Sequence, residues 1–223
     1  LTPLNRPKIG SVGPVVPGVQ LKIASDGEIL AKGPNIMQGY YNKPEATAEV
    51  IDSEGWFHTG DIGEMDADGY LKITDRKKDL IKTAGGKYIA PQPIENQVKL
   101  NKFVGNAVLL GDKRKFSLLL VVPDFEALEP WAKSERLAFA SRRELIALPA
   151  VRAKLQTEAL GMLTDLARFE MPKKVVLLEQ DFTIESGELT PTLKVKRRVV
   201  EKNYQSVIDA AYREADPLTA SEG

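Results

Sequence analysis

Residues 69–95 read GYLKITDRKKDLIKTAGGKYIAPQPIE, and the chain changes character within them. Tyr70 to Thr74 looks like a short strand, whereas Gln92 to Asn101, entered through Pro91 and with Pro93 early in the helix, puts Ile94 and Val98 on one helical face. Between them lie the charged run Asp75-Arg76-Lys77-Lys78-Asp79 and the pair Gly85-Gly86. A polar, charged segment between a β-rich part and a helix-bearing part is where a domain hinge would lie, and a solvated charge run is the ordinary alternative. Gly85-Gly86 either turns the chain sharply or lets backbone approach a partner closely.

Upstream of this stretch the chain is β-rich. Ten of the 17 glycines fall in residues 1–75, separating short strand-like runs. Val19 to Ala24 and Glu28 to Lys32, joined by Ser25-Asp26-Gly27, predict one hairpin; Gly60 to Met65 and Tyr70 to Thr74, joined by Asp66-Ala67-Asp68-Gly69, predict a second. Downstream, Phe103 to Leu110 and Phe116 to Val122 predict a third hairpin around the charged turn Gly111 to Lys115. Helices are expected over Phe125 to Phe139, Arg142 to Leu148 and Ala150 to Ala167, a short strand over Val175 to Leu178, and a last helix over about Val195 to Tyr212. The expectation is an α+β fold: a β-rich, barrel-like segment, then a small α+β domain with helices packed on a short sheet.

Composition narrows the function. The chain has 223 residues, 31 Lys plus Arg against 31 Asp plus Glu, one His and no Cys. The absence of Cys excludes a disulfide scaffold, a thiolate zinc site and a cysteine nucleophile. Formal neutrality argues against a general grip on nucleic acid or anionic lipid, and the basic run Lys194 to Arg198 lacks the interleaved aromatics of a nucleic-acid surface. No apolar run approaches the roughly 18 residues of a membrane span, and no signal peptide opens the chain. The expected location is cytoplasmic. The start at Leu1, followed by Pro3, Pro7, Pro14 and Pro17, reads as a piece of a longer protein.

Several short motifs carry candidate chemistry. Trp56-Phe57-His58-Thr59-Gly60-Asp61 leads two aromatics into a turn ending in a carboxylate, which accepts from both hydroxyls of a ribose or serves as a turn cap. His58, the sole His, has no Cys or second His for a metal site, so a packing or hydrogen-bonding role is favoured. Gly27-Glu28-Ile29-Leu30, Gly33 and Gly39 to Thr47 read by themselves as turns and packing. Glu188-Leu189-Thr190-Pro191-Thr192-Leu193-Lys194 precedes the last helix, where a lysine either joins the helix dipole in holding phosphate or is simply solvated.

Together these motifs resemble, in order and spacing, the C-terminal portion of the acyl-adenylate-forming enzymes, a family of acyl-CoA synthetases, luciferases and peptide-synthetase adenylation domains. The resemblance covers nearly the whole chain. It implies that residues 1–76 are the last β-rich subdomain of a large adenylation domain and 77–223 the mobile small domain, with the hinge at Lys78. Matched residue by residue, Asp61 is the aspartate that binds the ribose hydroxyls and Arg76 the arginine on ribose and phosphate. Gly85 and Gly86 match the turn facing the pantetheine tunnel, and Lys194 the lysine that bridges carboxylate and nucleotide during adenylation. The family often has Gly immediately before that lysine; Leu193 stands here, which resembles the long-chain branch, as does the insertion from about Glu126 to Met171.

The resemblance implies a long-chain fatty acid–CoA ligase using ATP, Mg2+ and coenzyme A, with a fatty acid as substrate and no resident metal. It leaves peripheral membrane contact open for the full-length enzyme. A ligase for an aryl or amino acid, and a non-catalytic nucleotide-binding module, are the alternatives. The family's phosphate loop and acyl pocket are not in these residues, so they alone are not expected to catalyse the overall reaction.

Overall fold

The computed structural model describes Pro3 and residues 6–214, in two compact units that divide after Leu80. The first unit holds β1 (Gly13–Pro14), β2 (Gln20–Ile23), β3 (Glu28–Lys32), α1 (Pro44–Val50), β4 (Phe57–Met65) and β5 (Tyr70–Arg76), then one 3-10 turn, Lys77–Asp79. Its five strands form a sheet in the order β1-β5-β4-β3-β2, all neighbours antiparallel. The sheet is open: β1 and β2 are its edges, and the barrel-like segment does not close. Both expected hairpins form. The Asp66 carboxylate closes the second turn by accepting from the backbone N–H of Asp68 and Tyr70, each at 2.9 Å.

One irregularity in this sheet decides a side-chain pairing. From Met65↔Leu71 to Gly63↔Ile73 the β4–β5 register is regular, and it then shifts to Ile62↔Asp75 and Asp61↔Arg76. Thr74 is the extra residue of a β-bulge, which re-aims the side chains beyond it. In the unshifted register Asp75 would oppose Asp61, carboxylate against carboxylate; the bulge puts Arg76 there instead. Gly63 permits the close approach, because a Cβ at that position would lie 2.4 Å from the Lys72 carbonyl oxygen and 2.8 Å from Ile29 Cδ1.

The second unit starts with the two-residue strands β6 (Ile81–Lys82) and β7 (Tyr88–Ile89), then α2 (Pro91–Val98), β8 (Val104–Leu110) and β9 (Leu118–Pro123). It continues with α3 (Phe125–Ser134), α4 (Arg142–Ala147), α5 (Pro149–Gly161), β10 (Lys174–Leu177), α6 (Arg197–Asn203) and α7 (Gln205–Glu214). The sheet order is β10-β9-β8, with β10 parallel and β8 antiparallel to β9. Every residue of β9 is buried, which explains its unbroken apolar run: a strand covered on both faces does not alternate. Leu118, Leu120 and Val122 join a core with Leu128, Leu145, Leu155, Val200 and Ile208. Leu119 and Val121 join another with Ile81, Ile89, Ile94, Val98 and Ala159.

The outer edge of β8 is capped by side chains. Buried Glu95 on α2 accepts from the Leu109 N–H at 2.7 Å, and Arg197 on α6 donates to the Leu109 carbonyl at 2.8 Å. The two side chains also pair with each other, Nη1 to Oε1 at 2.5 Å and Nη2 to Oε2 at 3.3 Å. Arg197 Nε is buried without a hydrogen-bond partner, so the guanidinium is held by its two terminal nitrogens.

Several expected elements differ in extent. The helix expected to Ala167 ends at Gly161, and the one expected to Phe139 ends at Ser134, beyond which Arg136 takes a φ of +59°. The single last helix is two, interrupted at Tyr204, where the ring packs edge-on against Phe182 at 6.0 Å between centroids. Neither α1 nor the β6–β7 pair was among the elements expected from sequence; the latter makes Gly85-Gly86 a hairpin turn. Among the described residues no helix is long and apolar enough to cross a membrane.

The crowding at Gly63 makes its substitution a sharp test of the bulge. Gly63→Ala is expected to destabilise the first unit by about 1–3 kcal/mol, the usual cost of overpacking. The measurement is amide-exchange protection in β4 and β5. Unchanged protection would mean that the strands separate around the methyl without cost.

Candidate functional site

Asp61 and Arg76, picked separately from the sequence, are brought together as cross-strand neighbours: Arg76 Nε lies 2.8 Å from Asp61 Oδ1. The turn before Asp61 is tightly determined. Gly60 has a φ of +70°, the Thr59 hydroxyl donates to the Ile29 carbonyl at 2.7 Å, and the Asp61 N–H donates to that hydroxyl at 3.1 Å. Asp61 also lines an apolar cavity of about 240 Å³ that includes Val15, Leu21, Ile29 and Ile73, with Thr59 and Asn35 as further polar lining. A carboxylate fixed through one oxygen by a guanidinium keeps the other for a hydroxyl donor, and the arginine adds positive charge beside it.

Behind this turn is a charged cluster, in residues that by sequence read as turns and packing. The Glu28 side chain is only 4% exposed, yet it is fully partnered. Lys77 Nζ and His58 Nδ1 each lie 2.8 Å from Glu28 Oε2, and the Gly60 N–H donates to Oε1 at 3.1 Å. Lys77 also reaches Asp26 at 2.8 Å. Burial by itself would raise the Glu28 carboxyl, but the bonds from Lys77, His58 and the Gly60 N–H outweigh it and hold the group below its ordinary range. Asp26 and then Glu28 hold Lys77 above its own. Glu28 therefore fixes both the turn that carries Asp61 and the 3-10 turn that follows Arg76. The available signal was a carboxylate opening an otherwise apolar strand in a chain with a single His.

Lys78 is exposed within that 3-10 turn, which is closed by the Leu80 N–H on the Lys77 carbonyl. Gly85 and Gly86 lie in the β6–β7 turn, with Gly86 at a φ of +75° and its N–H on the Thr83 carbonyl at 2.9 Å. That turn is docked on the β8–β9 loop, through the Ala84 N–H to the Arg114 carbonyl and the Lys113 N–H to the Lys82 carbonyl, both at 2.8 Å. Added Cβ atoms at Gly85 and Gly86 would meet nothing closer than 4.0 Å, so the turn presents bare backbone outward.

Lys194 lies in a hairpin of its own, not at a helix start. Its backbone carbonyl accepts from the Thr190 N–H at 2.8 Å, its N–H donates to the Thr190 hydroxyl at 3.0 Å, and Leu189 bridges Val195. The helix begins only at Arg197, so no helix dipole acts through Lys194. The side chain is exposed. Leu193, where the resemblance leads one to expect glycine, holds a φ of +59° and is 68% exposed. The fold thus demands the left-handed conformation there and obtains it from a residue that resists it. Among the described residues no three or more His, Asp or Glu side chains gather to hold a metal.

Two outcomes follow from this geometry. Because the folded-state pKa of Glu28 is depressed, its contribution to stability is present above the ordinary value of 4.5 and is lost as pH falls through the folded value. Acid unfolding of the first unit is therefore expected to be less steep below pH 4.5 in Glu28→Gln than in the native chain; equal slopes would remove Glu28 from the account. Leu193→Gly is expected to stabilise the second unit by up to about 1 kcal/mol, as relief of left-handed strain outweighs the added backbone freedom. Denaturant midpoints measure this, and a lowered midpoint would mean that the leucine is not strained.

Comparison with known proteins gives the family. Residues 78–216 match the model of the AMP-binding enzyme C-terminal domain. The chain is 41% identical over 213 residues to the long-chain-fatty-acid–CoA ligase FadD15 of Mycobacterium tuberculosis, covering 95% of this chain and 35% of that protein. It is 44% identical over 191 residues to the peroxisomal long chain acyl-CoA synthetase 6 of Arabidopsis thaliana, covering 84% and 27%. Among solved structures, the A-PCP didomain of carboxylic acid reductase from Segniliparus rugosus, in complex with AMP, superposes with a TM-score of 0.65 at 28% identity, covering 89% of this chain and 28% of that one. The chain spans 27% to 35% of the length of these two curated relatives. With the family model covering most of its length, the chain belongs to the AMP-binding enzymes and carries their C-terminal domain.

Proposed function

We propose that this chain is the C-terminal part of a long-chain fatty acid–CoA ligase. The observation that carries the reading is the similarity to long-chain ligases over almost the whole chain, 41% identity across 95% of it, combined with an Asp61–Arg76 pair at 2.8 Å and an exposed Lys194 on a rigid turn. In the first half-reaction a fatty carboxylate oxygen attacks the α-phosphorus of ATP. The bond to pyrophosphate breaks, and acyl-AMP forms. In the second, the coenzyme A thiol attacks the acyl carbon and AMP leaves.

In this reading Asp61 accepts from the ribose hydroxyls and Arg76 offsets phosphate charge. Lys194 meets the negative charge that builds up between carboxylate and α-phosphate, for which a compact cation on a flexible stem is suited. Gly85 and Gly86 offer open backbone to the pantetheine arm in the second step. Mg2+ enters as the ion carried by the nucleotide. Residues 1–76 end the large domain and 77–223 form the mobile one, pivoting at Lys78. The division of contacts after Leu80 and the start of the family match at residue 78 support a boundary there. The location is cytoplasmic, with contact to a membrane surface where fatty acids partition.

The test uses the longer enzyme that carries this chain. ATP–pyrophosphate exchange is expected with palmitate and not with benzoate or amino acids. Lys194→Ala should lower exchange by about 10²- to 10³-fold, the usual loss on removing one transition-state charge contact, and should still make thioester from supplied palmitoyl-AMP. Exchange with another acid alone would discard the long-chain assignment, and equal loss of both half-reactions would discard the role of Lys194.

A further inference from the structure

The hairpin that presents Lys194 rests on a buried carboxylate with no part in the chemistry described above. Glu188 is 4% exposed. Its Oε2 accepts from the Ser186 hydroxyl at 2.8 Å, and its Oε1 accepts from the Asn203 side-chain amide, on α6, at 3.0 Å. Its backbone carbonyl accepts from the Lys196 N–H at 2.7 Å, forming the base of the hairpin whose tip is closed by the Thr190 N–H on the Lys194 carbonyl. One residue thus links the loop before the hairpin, the far strand and the following helix. Arg197, three residues after Lys194, is held in turn by Glu95 and Leu109. The backbone around Lys194 is therefore tied at both ends, and the Glu188 side chain ties it to α6 through Asn203.

The Tyr204 hydroxyl is held above its ordinary range, first by burial and then by the negative charges of Glu188 and Asp181. A buried carboxylate met by hydroxyl and amide donors is costly unless its bonds are kept, so its place in the fold is fixed closely.

We propose that Glu188 is a positioning residue for adenylation: through Ser186, Asn203 and the Lys196 N–H it fixes the Lys194 turn, and it acts on the step that uses Lys194 and not on thioester formation. This rests on the reading of Lys194 given above. A displacement of about 1 Å at a catalytic group typically costs on the order of 100-fold. Shape and hydrogen bonding carry the effect. Gln can keep its oxygen on Asn203 and give its amide to the Ser186 oxygen, whereas Ala offers neither.

The experiment measures both half-reactions in the longer enzyme, with palmitate and ATP for the first and palmitoyl-AMP with coenzyme A for the second. Glu188→Ala is expected to slow acyl-AMP formation by roughly 10- to 100-fold and leave thioester formation within about 2-fold; Glu188→Gln should restore adenylation to within about 3-fold. Asn203→Ala, a milder change at an exposed residue of α6, should shift adenylation in the same direction. Amide exchange at Thr190 and Lys196 should quicken in Glu188→Ala alone of the two Glu188 variants. Equal slowing of both half-reactions, or intact adenylation in Glu188→Ala while Lys194→Ala slows it as expected, overturns the proposal. A Lys194→Ala enzyme that still adenylates overturns the underlying reading instead; the Glu188 variants then differ from the native enzyme in amide exchange alone.

Discussion

The Glu95–Arg197 pair is the interaction on which the second unit depends. It joins α2 to α6, which lie about a hundred residues apart in sequence, and both side chains also bond the backbone of Leu109 in β8. A sheet edge has unpaired N–H and C=O groups that invite another strand. Here the two groups of one edge residue, Leu109, are taken by a carboxylate and a guanidinium, so side chains cap the edge at that point. Removing two charges from water costs several kcal/mol each, and such a pair recovers this only when its other bonding positions are used as well. The arrangement also has a positional result. The Lys194 turn precedes α6 and the Gly85-Gly86 turn precedes α2, so both candidate working segments are joined by short connections to helices that the same pair holds.

The first unit solves a comparable problem with a different device. Its carboxylate, Glu28, is neutralised by one lysine from the end of the unit and supported by the sole histidine and a backbone N–H. The neighbouring Asp61–Arg76 pair exists because the strand carries an extra residue at Thr74. The pairing of Asp61 with Arg76 thus depends on backbone register as much as on residue type.

The hairpins were legible because turn residues such as Asp26-Gly27 and Asp66 to Gly69 stand between apolar runs, and β9 because five apolar residues in a row suit a strand covered on both sides. The single residues of the candidate site come from the family resemblance and not from periodicity or composition. What was not legible required three dimensions. Periodicity does not reveal a one-residue bulge, so nothing in DADGYLKITDR told which of Asp75 and Arg76 would face Asp61. Glu28 and Glu95 look like ordinary charges in the sequence, and their partners lie 14 to 102 positions away. The break at Tyr204 carries no Gly or Pro, and it falls where an aromatic ring packs edge-on against Phe182. Lys194 was placed near a helix start because the hairpin Leu189–Val195 is too short to show an alternating pattern.

The parallel pairing of β10 with β9 has a kinetic consequence. The β8–β9 hairpin can form from neighbouring residues, but β10 joins only after the crossover of α3, α4 and α5, from Asp124 to Lys173, has been gathered in. Loop-closure entropy must be met before that contact gives anything back, so strand pairings distant in sequence form slowly. Until then one flank of the most apolar strand in the molecule is uncovered. During synthesis β9 leaves the ribosome well before β10, and the interval between them is when this chain is most open to association with other nascent chains.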